Sequence, residues 1–155
     1  MKKTIYPKLI IGYLLFGILG FTVVSTITSY FSCQYIKKNE ISNLYKEANL
    51  IASDYAVSYY SNYITLSDFE SRLKVIHTYL AAQIWVIDRE GNILVDSTKS
   101  SDSSNLETIP DFNISDFKTH YYQTGFFYDY FNEEQLSVYA PISVNYKVRG
   151  YVIIH

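Results

Sequence analysis

The chain has 155 residues, one cysteine and a formal net charge of −2 at pH 7. A single cysteine excludes an intramolecular disulfide and a cysteine-rich metal site. Every Asp and Glu lies after residue 39, where the acidic residues outnumber the basic ones. This balance argues against a nucleic-acid partner, because such a partner requires basic patches that neutralise phosphates.

The first predicted element is a transmembrane helix over residues 9–31. The run from Leu9 to Phe31 carries no charge and is long enough to cross a bilayer as a helix. Lys2, Lys3 and Lys8 precede it, so the positive-inside rule predicts that residues 1–8 are cytoplasmic and that the rest of the chain is extracytoplasmic. Lys37 and Lys38 oppose this orientation weakly.

A cleaved signal peptide is the simplest alternative, since it also begins basic and then becomes apolar. Its apolar region is usually shorter, and no Ala-x-Ala site follows this run. Cys33 suggests a lipoprotein, but Tyr30 and Phe31 before it are too bulky for that processing signal. We therefore expect an intact anchor in the cell membrane.

The chain is predicted to stay helical after the anchor, up to about residue 61. Apolar residues recur at alternating steps of three and four, which indicates one stripe on a helix: Ile41, Leu44, Ala48, Ile51 and Tyr55. The stripe fits a helix packed on its own domain, and it also fits a parallel homodimer through the long helix.

A second helix is predicted to begin with a capping box formed by Ser67 and Glu70. Its buried stripe is predicted to contain Phe69, Leu73, Ile76 and Leu80, with His77 beside it as a structural residue.

From Gln83 the apolar period changes to that of strands. Residues 84–87 and 93–95 are predicted to form a hairpin, with Gly91 at positive φ and Asp88 bonding the turn amides. Residues 97–105 are predicted to be a loop, and a short helix is predicted around 114–118. Strands are then predicted at 125–131, 135–144 and 149–154, with Pro141 at a bulge or on an unpaired edge. The predicted fold class is α+β.

The run Ile84-Trp85-Val86-Ile87-Asp88-Arg89-Glu90-Gly91-Asn92-Ile93-Leu94-Val95-Asp96-Ser97 is similar to the first hairpin of single Cache domains. Val138-Tyr139-Ala140-Pro141-Ile142, followed by Arg149-Gly150-Tyr151-Val152-Ile153-Ile154, resembles a second signature of that family. Cache domains (also PDC, PAS-like) are extracytoplasmic sensors of bacterial transmembrane receptors, most often sensor histidine kinases. The resemblance covers most of residues 34–155.

The resemblance implies a PAS-like five-stranded antiparallel sheet in the order 2-1-5-4-3 and dimerisation through the long helix. It also implies a small-molecule cavity between the sheet and the middle segment. A site of this kind has apolar walls and few polar anchors. The candidate lining residues are Trp85, His120, Tyr121, Tyr122, Tyr128 and Tyr139.

In such receptors the last strand leads into a second membrane helix, whereas this sequence stops at His155. We therefore expect the sequence to be a piece of a longer receptor. A chemoreceptor or a cyclic-dinucleotide enzyme can share this input domain. A pilin-like structural subunit is a further alternative, although Ser25 stands where pilins need Glu.

No catalytic motif emerges. The glycines form neither a GxGxxG nor a Walker loop, and the histidines lack HExxH spacing. We expect no cofactor, no metal site and no enzymatic activity in these residues. A metal site formed by His120 and Asp116 is conceivable but not favoured.

Overall fold

The computed structural model describes residues 5–99, 107–113, 115–116 and 120–155. The chain divides into two compact units, Met1–Glu40 and Ile41–His155.

The first unit is helical. Helix α1 (Ile5–Leu50) begins here, and its apolar side chains are exposed over the predicted anchor. The hydroxyls of Thr22 and Thr26 donate to backbone carbonyls one turn earlier, so they do not stand unsatisfied on an apolar surface. Within the described residues, one helix is long and apolar enough to cross a membrane.

In the second unit α1 is followed by a π-helical segment (Ile51–Ala56) and by α2 (Val57–Tyr60). The prediction of an unbroken helix is therefore confirmed, with one π-helical stretch inside it. Two rows of buried or half-buried residues are spaced by four, namely Ala48, Ala52, Ala56 and Tyr60, and Ile51, Tyr55 and Tyr59.

This spacing explains the π-helical segment. A step of four residues drifts by about 40° around an α-helix, because the α-helix has 3.6 residues per turn. The wider i→i+5 turn of a π-helix reverses that drift. Both rows therefore remain against the same surface, and the apolar stripe predicted from the sequence packs on the chain's own domain.

Helix α3 (Leu66–Leu80) confirms the second predicted helix but not its cap. Thr65 is the N-cap: its Oγ1 accepts from the Asp68 amide at 3.2 Å and donates to the Asp68 carboxylate at 2.7 Å. The predicted box of Ser67 and Glu70 was wrong because Ser67 already lies inside the helix.

The predicted stripe of α3 is confirmed: Phe69 and Leu73 are fully buried, and Ile76 and Leu80 are half-buried. Nδ1 of His77 lies 2.9 Å from the Ala82 carbonyl oxygen, where it closes the C-terminal end of the helix. His77 therefore has the structural position that the sequence predicted.

The sheet has five antiparallel strands in the order β2-β1-β5-β4-β3, as the resemblance implied. The strands are β1 (Ile84–Asp88), β2 (Ile93–Asp96), β3 (Tyr122–Gly125), β4 (Gln135–Val144) and β5 (Lys147–Ile154). The β1–β2 turn also forms as predicted: Gly91 has φ 88°, and Asp88 Oδ1 accepts from the amides of Glu90 and Asn92 at 2.9 Å.

The two faces of the sheet carry different cores. Alternate residues such as Ile84, Ala140 and Val152 pack against the helices. Their neighbours Trp85, Tyr139 and Ile153 face the opposite side, where they join an aromatic cluster. The central strand β5 contributes to both cores, so it connects the helical layer with the aromatic layer.

Close approach of β1 and β5 requires Gly150. A Cβ atom at this position would lie 2.0 Å from the carbonyl oxygen of Ile87 on the neighbouring strand. Only glycine avoids that clash.

The strand predicted at 125–131 was wrong. Strand β3 ends at Gly125, and residues 126–131 form a tight turn that carries aromatic side chains into the core. The dense aromatic and apolar composition of 126–131 resembles that of a strand, which explains the error.

The prediction for Pro141 remains a prediction, because the part of the chain that could pair with this edge lies outside the described residues. The Tyr139 amide donates to the carbonyl of Tyr121, so it points to the side of β4 on which β3 lies. Because backbone direction alternates along a strand, the nitrogen of Pro141, two residues later, points to the same side, beyond the described start of β3. A register shift follows between Ile142 and Ser143. Much of the loop predicted at 97–105, and of the short helix predicted at 114–118, lies outside the described residues.

Candidate ligand-binding site

The structure brings three of the six candidate residues together on the aromatic face of the sheet. Trp85 lies on β1 and is fully buried, and Tyr139 on β4 is 3 % exposed. Tyr128 is half-buried and packs against the same cluster.

The other three candidates lie elsewhere. His120 is exposed just before β3. The ring of Tyr121 packs on Tyr45 of helix α1, with 4.6 Å between ring centroids. Tyr122 pairs with Val138 across the strands and therefore faces the helical side of the sheet. Neither Tyr121 nor Tyr122 therefore belongs to the aromatic cluster, and their role in ligand binding remains a prediction.

Trp85 is the centre of an aromatic box. Phe131 stacks on its indole with a centroid distance of 5.5 Å, and Tyr130 meets it edge-on at 4.7 Å. Phe127 and His155 approach edge-on at 6.0 and 4.6 Å. Such edge-to-face and offset arrangements each add about 0.5–1.5 kcal/mol beyond the burial of area.

The turn after β3 supplies three of these rings and has an unusual backbone. Phe127, Tyr128 and Asp129 are consecutive non-glycine residues with φ of 43°, 54° and 55°. The turn is closed by hydrogen bonds from the Tyr130 amide to the Phe127 carbonyl and from the Phe131 amide to the Phe126 carbonyl, both at 3.1 Å. We call residues 126–131 the left-handed turn.

The left-handed turn stores strain. Each residue in this conformation costs roughly 1–2 kcal/mol relative to the right-handed region. Strain of this kind persists only where the surrounding structure over-determines it, and it concentrates at functional sites. Here the packing of Phe127, Tyr130 and Phe131 against Trp85 opposes the strain.

Tyrosine hydroxyls tie the middle segment to this face. Tyr130 donates to the Glu107 carboxylate at 2.6 Å, and the same oxygen lies 2.6 Å from Lys99 Nζ. Tyr128 donates to the Asp116 carboxylate at 2.7 Å. Ile109, which is 2 % exposed, packs in the same aromatic cluster.

Burial and the Asp116 carboxylate raise the pKa values of two tyrosines on this face. Burial, reinforced by the hydrogen bond to Asp116, raises the pKa of Tyr128 well above its usual range. Burial, with a smaller contribution from Asp116, raises the pKa of Tyr139 to about 12. Both hydroxyls are protonated at neutral pH, as ordinary tyrosines are, and the raised pKa values make their deprotonation harder still.

Two nitrogen atoms in the aromatic box are buried without a hydrogen-bond partner among the described residues: Nε1 of Trp85 and Nε2 of His155. Nδ1 of His155 lies 2.8 Å from the hydroxyl of Ser137, which is fully buried. Burial lowers the pKa of His155 to about 3, so its imidazole is neutral at pH 7. An unsatisfied buried polar group costs about 1–3 kcal/mol, and unpaired groups are uncommon in folded proteins.

The aromatic face combines apolar walls with a small number of polar atoms. The walls are aromatic, and the Trp85 N–H, which has no acceptor in the part of the chain that the structure describes, is a donor that can fix one acceptor atom. In the described part of the chain, no group of three or more His, Cys, Asp and Glu side chains is arranged to hold a metal ion. Asp116, the conceivable metal ligand beside His120, accepts a hydrogen bond from Tyr128 instead.

Sequence reasoning missed four residues that complete the box: Phe127, Tyr130, Phe131 and His155. The aromatic density of 126–131 is visible in the sequence, but it predicted a strand. No local signal distinguishes His155 from an ordinary strand-end residue, because its surroundings come from β1, β4 and the left-handed turn.

Comparison of the chain with protein-family models, with curated proteins and with solved structures finds no match in any of the three.

Proposed function

We propose that this chain is the membrane-anchored, extracytoplasmic input region of a bacterial receptor, a Cache-type domain of the kind found in sensor histidine kinases. Residues 9–31 would anchor it, and residues 34–155 would bind a small molecule outside the cell. The observation that carries the proposal is the antiparallel sheet in the order 2-1-5-4-3, with helices on one face and an aromatic cluster on the other.

The anchor agrees with this proposal. Helix α1 contains an uncharged run long enough for a bilayer, and its later residues Ala48 and the following Ile51 are buried against the sheet. A receptor input region needs both a membrane anchor and a folded core that responds to ligand.

Signal transfer would run through the central strand. Tyr151 and Ile153 of β5 pack in the aromatic cluster, while Val152 and Ile154 pack against the helical side. A ligand that repacks the aromatic face would favour one of two arrangements of β5 and of the helices. The equilibrium between the two arrangements would shift toward the one that binds the ligand more tightly, to an extent set by the difference between the two affinities.

A chimeric receptor tests the proposal. Residues 1–155 are joined to the second membrane helix and kinase of a receptor whose output is known. We expect Ile109→Ala, which loosens the buried contact of the middle segment, to change kinase output severalfold. Tyr146→Ala, at a fully exposed position, serves as the matched control and should leave output unchanged. Equal output from the parent chimera and both variants, all of them folded and in the membrane, would contradict a sensing role.

A further inference from the structure

The left-handed turn and the unpaired nitrogen of Trp85 belong to one feature. The three consecutive left-handed residues, Phe127 to Asp129, are held in place by rings that cover Trp85. The indole beneath is fully buried, and its N–H finds no acceptor among the described residues. The rings that hold the strained turn in place thus cover the Trp85 N–H but form no hydrogen bond with it.

We propose that residues 126–131 are a displaceable plug over a ligand site, and that the ligand is a neutral planar molecule of about one ring with a hydrogen-bond acceptor for Trp85 Nε1. The inference rests on the proposed sensing function and specifies the ligand class and the closed state of its site.

The ligand class follows from the groups that form the site. The plug fills the space with phenyl and phenol rings, so the space opened by its departure suits one planar ring. Trp85 Nε1–H can only donate, which requires an acceptor on the ligand. The nearby carboxylate of Asp116 accepts a hydrogen bond from Tyr128, and its charge disfavours an anion at the rim.

Displacement is favoured by the backbone itself. When the turn opens, Phe127, Tyr128 and Asp129 can return to the right-handed region and release their strain. Gly125 precedes the turn with φ 148°, and a Cβ atom added there would meet no heavy atom within 4 Å among the described residues. This glycine is the pivot of the opening motion.

Trp85 is the only tryptophan in the chain, so its fluorescence reports on the plug without interference. Glycine tolerates a left-handed conformation, and the exposed Asp129→Gly change should therefore hold the plug closed more firmly. In the full chain in lipid nanodiscs, we expect Asp129→Gly to reduce acrylamide quenching of Trp85 severalfold. Asp129→Val should increase it, because a β-branched residue resists positive φ.

Glu133→Gly is the matched control, since it removes the same charge at an exposed position that lacks positive φ. It should leave quenching unchanged. If acrylamide quenches Trp85 fluorescence equally in Asp129→Gly and Glu133→Gly, while circular dichroism shows both variants to be folded, the plug does not open and the proposal is overturned.

Benzamide is the ligand probe, and toluene, which has the same ring without an acceptor, is its control. We expect benzamide to change Trp85 fluorescence saturably, with an affinity about fivefold weaker in Asp129→Gly, since closing the plug opposes binding. Toluene should bind more weakly than benzamide. Equal binding of the two probes, or no binding of benzamide, would overturn the proposed ligand class. Neither result depends on membrane orientation or kinase output, so failure here is distinct from failure of the sensing function.

Discussion

His155 shows how a single side chain acquires its chemistry from distant parts of the chain. Its ring packs between Trp85, Phe127 and Phe131, with centroid distances of 4.6 to 4.8 Å. Burial in this aromatic box disfavours the charged imidazolium and lowers the pKa, and the carboxylate of Asp96 opposes that effect only in part.

The depressed pKa of His155 predicts a pH-dependent stability. The folded pKa of about 3 lies below the ordinary value of 6.5, so the unfolded chain binds the proton more readily. The contribution of neutral His155 is fully present above pH 6.5 and is lost as pH falls toward about 3. From pH 7 to pH 5 the free energy of unfolding should fall by about 2 kcal/mol from this residue.

Chemical denaturation at the two pH values measures this loss. Between pH 7 and pH 5, His155→Gln should lose less free energy of unfolding than the parent chain, by about that amount. Identical pH dependence in the parent and in His155→Gln would show that the imidazole is not buried in its neutral form.

At the scale of elements, the N-terminus of α3 tests the structure against a sequence prediction. The sequence favoured Ser67 as the cap, but the structure assigns that role to Thr65, whose hydroxyl bonds both the amide and the carboxylate of Asp68. Thr65→Ala should cost about 1 kcal/mol in the free energy of unfolding. Ser67→Ala should be close to neutral, because alanine is favoured inside a helix.

Urea denaturation of the two variants decides between the caps. If Ser67→Ala lowers the free energy of unfolding more than Thr65→Ala does, the capping box predicted from the sequence is correct and Thr65 is not the cap.

Elements governed by local chemistry were predicted well. The β1–β2 hairpin depends on Asp88 and Gly91 within one turn, and the stripe of α3 depends on helical spacing alone. The left-handed turn could not be predicted, because its backbone is held by contacts with Trp85 on another strand. The same reason explains why Phe127 and Phe131 were missed as site residues.

At the scale of the whole molecule, the sheet order was predicted from a family resemblance and not from any local pattern. The order β2-β1-β5-β4-β3 places β5 between β1 and β4, a non-local arrangement that strand periodicity does not specify. The resemblance also suggested the candidate site residues. Two of them, Trp85 and Tyr139, lie on the aromatic face, whereas Tyr121 packs on Tyr45 instead.

The parallel homodimer remains a prediction, but the apolar stripe that suggested it no longer supports it. The stripe that suggested a dimer is used within the domain, since Ala48 and Ile51 are fully buried there. A dimer must therefore use other residues of α1, such as the exposed Tyr35 and Ile36.

Oxidative cross-linking through Cys33, which is exposed and is the only cysteine, tests the dimer in native membranes. A parallel dimer places two copies of Cys33 at the same depth and should give a covalent dimer that is absent in Cys33→Ser. Single cysteines moved through residues 34–40 of Cys33→Ser should cross-link with helical periodicity. Uniformly absent cross-links would argue against the dimer.

The proposed membrane topology, an anchor with residues 34–155 outside the cell, is tested directly through Cys33. Intact bacterial cells that express the chain are treated with a membrane-impermeant maleimide, and labelling is compared with that of Cys33→Ser carrying Lys8→Cys. We predict that Cys33 is labelled on the full-length, uncleaved chain in intact cells, whereas a cysteine at position 8 is labelled only after permeabilisation. Labelling of Cys33 only after permeabilisation, or its recovery on a shortened and released chain, would contradict this topology.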